Sequence, residues 1–326
     1  MSESVGVAII GVGGIVRKEH LRHLAALPDV RLVGYLRTKS GSAERAVQQY
    51  GGRLYDTVEQ LVDDPAVRAV YVSVPPFAHG DIERKVLAAG KAMFVEKPLA
   101  INLETAQAVA DQIKATNALV AVGYHWRYQS TTAELRKRLG SGPVIGATGW
   151  WCGGRPGVWW WRDKATGGGQ PAEQTTHVFD LANYLVQSPP LSVLASARKL
   201  DVYRDDPKHT VDDVSVAHVR YADGTAVSIW SSDVMNGAAE KVGLELYGID
   251  SRYEIGLQSL KCWQGSQMCE LKVEGNAFQR ENVAFIHAVR TGDRSVLLAD
   301  YDTAMVTHRV TMAVERSIKS GQVEAV

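Results

Sequence analysis

The feature that most constrains this chain is the alternation running through its first 122 residues. Val5–Ile10 is a short apolar, β-branched run, followed at once by glycines and then by a helical pattern through Leu21, Leu24 and Ala25. Arg31–Leu36, Ala69–Ser73, Ala92–Val95 and Leu119–Val122 are further strand candidates. Helical stretches lie between them: one opens at Thr57-Val-Glu-Gln60, which has the residue types of a capping box, and another spans His79–Ala89. From Leu103 to about Lys114, Leu103, Ala106, Val109, Ala110 and Ile113 share one helix face. Short strands alternating with helices build βαβ units and a parallel sheet covered on both sides. The prediction for 1–122 is a doubly wound α/β domain of Rossmann type.

After Gly123 the texture changes to short β-rich runs: Val144–Trp151, Leu191–Val202, Val214–Tyr221, Ala226–Ser232 and Val242–Tyr247. Asp223-Gly224 supplies a hairpin turn within Val219–Ala226. Helices are expected over Pro171–Val186, Glu281–Val289 and Tyr301–Ile318. This predicts an α+β domain over 123–326, built on a mostly antiparallel open sheet. The C-terminal helices (about 301–318) are expected to return toward the first domain, with a site between the two. A length of 326 residues suits two domains of about 150 residues each.

Lys plus Arg (36) balances Asp plus Glu (36), so no global field steers the protein to nucleic acid or an anionic membrane. The sequence has no apolar run of the roughly eighteen residues a membrane span requires, and its first residues lack the pattern of a signal peptide. Three cysteines without a CxxC exclude a disulfide scaffold and argue against structural zinc. A cytoplasmic protein without a metal is expected, with neither nucleic acid nor membrane as partner. His20 and His23, spaced i, i+3 with no third ligand in view, read as a solvated helix face.

Gly11-Val12-Gly13-Gly14-Ile15-Val16 stands between the first strand and its helix. In that position Gly11 serves a tight turn, and Gly13 lets the backbone approach a pyrophosphate at a helix N-terminus. Val16 stands where a third glycine would ease helix–strand packing. The second strand ends in Leu36-Arg37-Thr38-Lys39-Ser40, where an NAD site would carry an acid. Arg37, Thr38 and Ser40 can hydrogen-bond to a 2′-phosphate and Lys39 adds charge, so NADP(H) is expected ahead of NAD(H).

Ser73-Val-Pro75-Pro76 with His79, Glu96-Lys97-Pro98, and Gly167-Gly168-Gly169 followed by Glu173, His177 and Asp180 complete the pattern. With the glycine turn, in this order and spacing, they resemble the Gfo/Idh/MocA family of nicotinamide-dependent oxidoreductases over essentially the whole chain. The resemblance implies that Lys97 reaches the reacting centre and that His177 is a proton donor or acceptor. Glu173 stands where the family commonly has Asp, a side chain longer by one methylene. Trp161-Arg162 is similar to a pair that approaches the cofactor from the second domain. Gly123-Tyr124-His125-Trp126-Arg127-Tyr128 matches the segment at the mouth of the cleft. Implied cofactor contacts are therefore Gly11, Gly13, Gly14, Ile15, Val16, Arg37, Thr38, Lys39, Ser40, Ser73, Pro75, His79, Glu96, Lys97, Trp161 and Arg162. Substrate-side candidates are Tyr124, Trp126, Arg127, Trp159 and Asp180.

The chemistry is coherent without the family name. Ligands of open α/β sheets bind beyond the carboxyl ends of the strands, where the glycine turn, Pro75 and Lys97 all fall. Glu173 and His177, at i, i+4, would share a helix face, and a carboxylate on one imidazole nitrogen aims the other at a substrate oxygen. Six of the eight tryptophans fall between Trp126 and Trp161. A loop does not easily bury all of Trp159, Trp160 and Trp161, so they line a carbohydrate cleft or an oligomer contact.

The expected activity is hydride transfer to or from a secondary alcohol or ketone of a sugar, cyclitol or related polyol, in a homodimer or homotetramer. Three rivals are a hydrolase or lyase that retains its cofactor and oxidises substrate transiently, a non-catalytic dinucleotide sensor, and a scaffold. Intact Lys97 and His177 argue against the sensor, and the full cofactor pattern argues against the scaffold.

Overall fold

Strand β1 (Val5–Ile10) is apolar throughout and buried on both faces, as a central parallel strand must be. Val5, Val7 and Ile9 enter one apolar cluster, Ala8 and Ile10 the opposite one, following the two-residue period of a strand. Around it lie β2 (Val30–Leu36), β3 (Arg53–Tyr55), β4 (Ala69–Val72), β5 (Ala92–Val95) and β6 (Val120–Val122). The sheet runs β3-β2-β1-β4-β5-β6, and every pairing is parallel. The strand order reverses beside β1, so the carboxyl ends of β1 and β4 flank the crevice of a doubly wound sheet. The computed structural model describes residues 4–140, 142–200, 202–237 and 239–326.

The first helix begins as a π turn, Val16–His20, and continues as Leu21–Ala25, with the Leu21 amide donating to the Val16 carbonyl. Thr57 caps the helix Val58–Asp63 by accepting from the Gln60 amide, as its residue type predicts. Two distant segments complete this unit. Phe285 and Ile286 from the helix Ala277–Thr291 join the cluster around Val5 and Ile9, and Tyr301, Ala304 and Met305 join the other. The first compact unit therefore runs to Tyr128 and takes in Asn276–Met305.

The second unit comprises Gln129–Gly275 and Val306–Val326. Its strands are β7 (Gly146–Cys152), β8 (Pro190–Arg198), β9 (Val214–Tyr221), β10 (Ala226–Ser232), β11 (Lys241–Tyr247), β12 (Ser251–Gly256), β13 (Ser259–Gln264), β14 (Gln267–Lys272) and β15 (Glu324–Ala325). They form one sheet, β14-β13-β12-β11-β7-β10-β9-β8-β15. Among the described residues only β7 and β10 pair in parallel; the other pairings are antiparallel.

Two expectations change in detail. The strand predicted to reach Val202 stops at Arg198, opposite Val214. Beyond it the Leu200 amide donates to the Asp213 carboxylate, which replaces the ladder bond. The helix predicted over Pro171–Val186 is two helices, Gln170–Glu173 and Thr176–Val186. At the break the Thr175 amide reaches back five residues to the Gln170 carbonyl and the His177 amide only three, to Gln174, so the regular four-residue ladder is lost. Among the described residues no helix is long and apolar enough to cross a membrane.

Candidate active site

At the carboxyl end of β1, Gly11 has φ +91°, and a Cβ there would lie 2.0 Å from the Ser73 carbonyl oxygen. Glycine alone permits this approach between the ends of β1 and β4. Gly13, Gly14 and Ile15 are exposed, and a Cβ on Gly13 or Gly14 would meet nothing within 4 Å. An open, side-chain-free helix start fits a dinucleotide pyrophosphate. Val16 fills the place of the third glycine by turning inward, fully buried against the β1 cluster. The Ser73 amide continues the ladder to the Ile10 carbonyl, and Pro75 leads into the turn Pro76–Ala78.

Beyond β2, Arg37 and Lys39 are exposed. Arg37 Nε lies 2.9 Å from Asp56 Oδ1 and its Nη1 3.8 Å from Glu44 Oε1. The hydroxyls of Thr38 and Ser40 are 2.9 Å apart, as are those of Ser40 and Ser42. The basic loop thus brings its own acids, Glu44 and Asp56, which lie beyond Leu36–Ser40 in the sequence.

His79 is built into its loop. Its Nε2 lies 3.1 Å from the Val74 carbonyl and its Nδ1 2.5 Å from Glu83 Oε1, while Glu83 Oε2 accepts from the Gly80 amide at 2.6 Å. Both ring nitrogens are committed, so His79 shapes the loop after β4.

Glu96 and Lys97 directly follow β5. The Glu96 side chain is buried, with Oε1 2.8 Å from His20 Nε2. His20 Nδ1 lies 3.1 Å from Asn282 Oδ1, which also accepts from the Tyr71 hydroxyl at 2.8 Å. Asn282 Nδ2 donates to the Phe278 carbonyl at 2.7 Å. That bond fixes the amide, so Oδ1 is an acceptor, His20 Nδ1 carries a proton, and a further proton lies between His20 and Glu96. Burial alone would raise Glu96; the hydrogen bond and charge of His20, with Lys97 and His125 adding, hold its carboxyl below the usual range.

The reading of His20 as a solvated face is therefore corrected: the ring is fully buried. It lies four residues from both Val16 and Leu24, on the buried stripe of its helix, and that spacing was the available signal. Glu281 completes a His20–Glu96–Glu281 cluster whose ligand-type atoms lie within 4.8 Å of one another. Burial, with the charges of Glu96 and Glu19, pushes the Glu281 carboxyl well above its ordinary range. Gly123 also shields this group: a Cβ there would sit 2.8 Å from the Glu96 carboxyl carbon. His125 stacks on Phe278 with centroids 3.9 Å apart. Burial, helped by Lys97 and His20 and opposed by Glu96, lowers it to about 3, so it is neutral at working pH.

The segment after β6 turns inward. Tyr124 and Trp126 are 1% and 2% exposed. Tyr124 joins the apolar cluster containing Tyr301, and Arg127 donates to the Leu298 carbonyl and the Thr303 hydroxyl at 2.7 and 3.1 Å. The motif marks where this segment begins; residues 298–303 decide where its side chains go.

In the second unit, Glu173 Oε1 accepts from Trp160 Nε1 at 3.2 Å, a bond the i, i+4 spacing does not reveal. His177 is buried and stacks on Trp151, with centroids 5.8 Å apart. No motif singled out Trp151, which stands in β7. Asp180 is fully buried and accepts from the Thr307 hydroxyl at 3.0 Å.

The three loop indoles part company. Trp159 is 60% exposed, whereas Trp161 is buried and stacks on His209. The loop does not bury all three, but it does bury Trp161, because it folds back over its own unit: the Thr210 amide donates to the Arg162 carbonyl. Arg162 itself pairs with Asp206 at 3.1 Å.

A family model described as oxidoreductase family, NAD-binding Rossmann fold, matches residues 5–124. The model for the GFO/IDH/MocA C-terminal domain matches 133–255. The chain is 26% identical to scyllo-inositol 2-dehydrogenase (NAD(+)) of Bacillus subtilis, over 78% of this chain and 72% of that one. It is 25% identical to levoglucosan dehydrogenase of Pseudarthrobacter phenanthrenivorans, over 76% and 72%. In fold it resembles an aldose-aldose oxidoreductase from Caulobacter crescentus, with a TM-score of 0.87, 22% identity and coverage of 99% and 100%. With both halves matched by one family's models and the glycine turn built as that family requires, the chain belongs to the Gfo/Idh/MocA family of nicotinamide-dependent oxidoreductases.

Proposed function

We propose that this protein moves a hydride between NADP(H) and a secondary alcohol or ketone of a sugar, cyclitol or related polyol. The observation that carries the reading is the carboxyl edge of the parallel sheet, where the open Gly13-Gly14 helix start and Lys97 follow β1 and β5 of one sheet. The substrate class rests on the relatives named for inositol and levoglucosan.

When bound, the nicotinamide supplies the hydride acceptor or donor. The amides of Gly13, Gly14, Ile15 and Val16 hold its pyrophosphate. Glu96, braced by His20, fixes the start of the loop that carries Lys97. Lys97 takes the hydroxyl proton as hydride leaves the carbon and returns it in reduction. His177, held against Trp151, is the second acid–base group in this proposal, and Glu173 orients the loop through Trp160. Trp159 offers an exposed aromatic face to a sugar ring. Tyr124, Trp126, Arg127 and Asp180 support their surroundings from within.

The preference for NADP(H) rests on Arg37, Lys39 and the hydroxyls of Thr38 and Ser40. A 2′-phosphate would take Arg37 from Asp56 in a bidentate contact. Reduced-nicotinamide absorbance over a panel of inositols, anhydrosugars, aldoses and ketosugars, with both cofactors in parallel, tests the proposal. Net turnover with a polyol supports it. Tight cofactor binding without net turnover across the panel contradicts it and favours the cofactor-retaining alternative.

A further inference from the structure

Of the three cysteines, Cys152 stands in β7, while Cys262 and Cys269 face each other across the β13–β14 hairpin. These strands are antiparallel, joined by Gly265-Ser266, and Cys262 lies directly opposite Cys269 in register. Directly opposed residues have Cα atoms about 4.5–5.5 Å apart, inside the roughly 4.4–6.8 Å that a disulfide spans. Opposed residues also point to the same face of the sheet, so both thiols stand on one side of the hairpin.

The pair is chemically asymmetric. Cys269 is exposed on the edge strand of the sheet, and Arg138 Nη1 lies 3.8 Å from its sulfur. Negative charge developing on that sulfur therefore faces a guanidinium. Cys262 is buried, and burial together with its neighbour Cys269 pushes its thiol up to about 11. One sulfur meets solvent beside a cation, and the other waits protonated behind it. This is the arrangement of an attacking and a resolving cysteine.

We propose that Cys262 and Cys269 form a redox-active dithiol that peroxide closes to a cross-strand disulfide. Cys269 attacks one peroxide oxygen as thiolate; the O–O bond breaks and Cys269 becomes a sulfenic acid, with one water formed. Cys262 then attacks the Cys269 sulfur, the S–O bond breaks, and the thiol proton leaves with the hydroxyl as a second water. Two thiols are oxidised and one peroxide is reduced. The product ties edge strand β14 covalently to β13. A thiol reductant of the glutathione class reverses it by exchange.

The test treats the folded, fully reduced chain with hydrogen peroxide, alkylates the remaining thiols and maps peptides without reduction. The expected result is a linked Cys262–Cys269 peptide, Cys152 alkylated, and full reversal by dithiothreitol. Cys269→Ser should leave Cys262 alkylated, and Cys262→Ser should let Cys269 proceed to sulfinic acid. Arg138→Gln should slow disulfide formation several-fold. Sulfinic acid on wild-type Cys269 with Cys262 still alkylated, a linkage through Cys152, or three intact thiols would each overturn the proposal.

Discussion

His20 and Glu96 meet 2.8 Å apart in the interior of the first unit, joining the helix after the glycine turn to the loop that carries Lys97. Removing one partner of a buried, hydrogen-bonded pair leaves the other without compensation. His20→Ala is expected to destabilise the protein by about 3–5 kcal/mol, read from the urea midpoint. Glu281→Gln should cost far less than His20→Ala, because burial and the charges of Glu96 and Glu19 raise the Glu281 carboxyl and so favour its neutral, amide-like form. A large loss in that variant would show Glu281 to be ionised.

The glycine turn separates two kinds of glycine. Gly11→Ala puts a Cβ against the Ser73 carbonyl at positive φ, and should cost at least about 1–3 kcal/mol of stability. Gly13→Ala meets open space, so its Tm should match wild type. Its reduced-nicotinamide affinity, measured by fluorescence titration, should fall about tenfold, equivalent to some 1.4 kcal/mol.

In the proposed NADP(H) site, cofactor choice depends on which group holds Arg37. Arg37→Ala should raise KM for NADP(H) about tenfold while moving that for NAD(H) little, a difference of some 1.4 kcal/mol. Asp56→Asn releases the guanidinium from its 2.9 Å partner and should lower KM for NADP(H). Steady-state rates with both cofactors check both variants; an Asp56→Asn effect confined to NAD(H) would contradict the assignment.

The second unit carries its own pH signature. Burial, together with the charge of Asp213, raises the Asp233 carboxyl to about 7. The folded state therefore holds a proton that the unfolded state releases in the ordinary aspartate range. Its contribution to stability is full at low pH and is lost as pH rises toward about 7. Relative to wild type, Asp233→Asn should gain thermal stability across that interval and then level off. A difference in Tm that stays constant with pH would rule this out.

What could be read from sequence followed from local periodicity. β1, β4 and β5 announce themselves because both their faces are buried, and the glycine turn because its context is local. The interior role of Arg127 could not be read, since its partners Leu298 and Thr303 lie more than 170 residues away. His20 was legible in principle from its spacing to Val16 and Leu24, but Asn282, Glu281 and Tyr71 come from other elements. The break at Thr175 turns on two displaced backbone bonds, those of the Thr175 and His177 amides, which no hydrophobic period records.

The proposed function stands on Lys97 as the group that carries the proton. The most direct measurement compares Lys97→Met with wild type on the best polyol of the panel, following kcat/KM and cofactor Kd together. The expected result is a loss of about 10²–10⁴ in kcat/KM with cofactor Kd held within a few-fold. Undiminished turnover by Lys97→Met would contradict it.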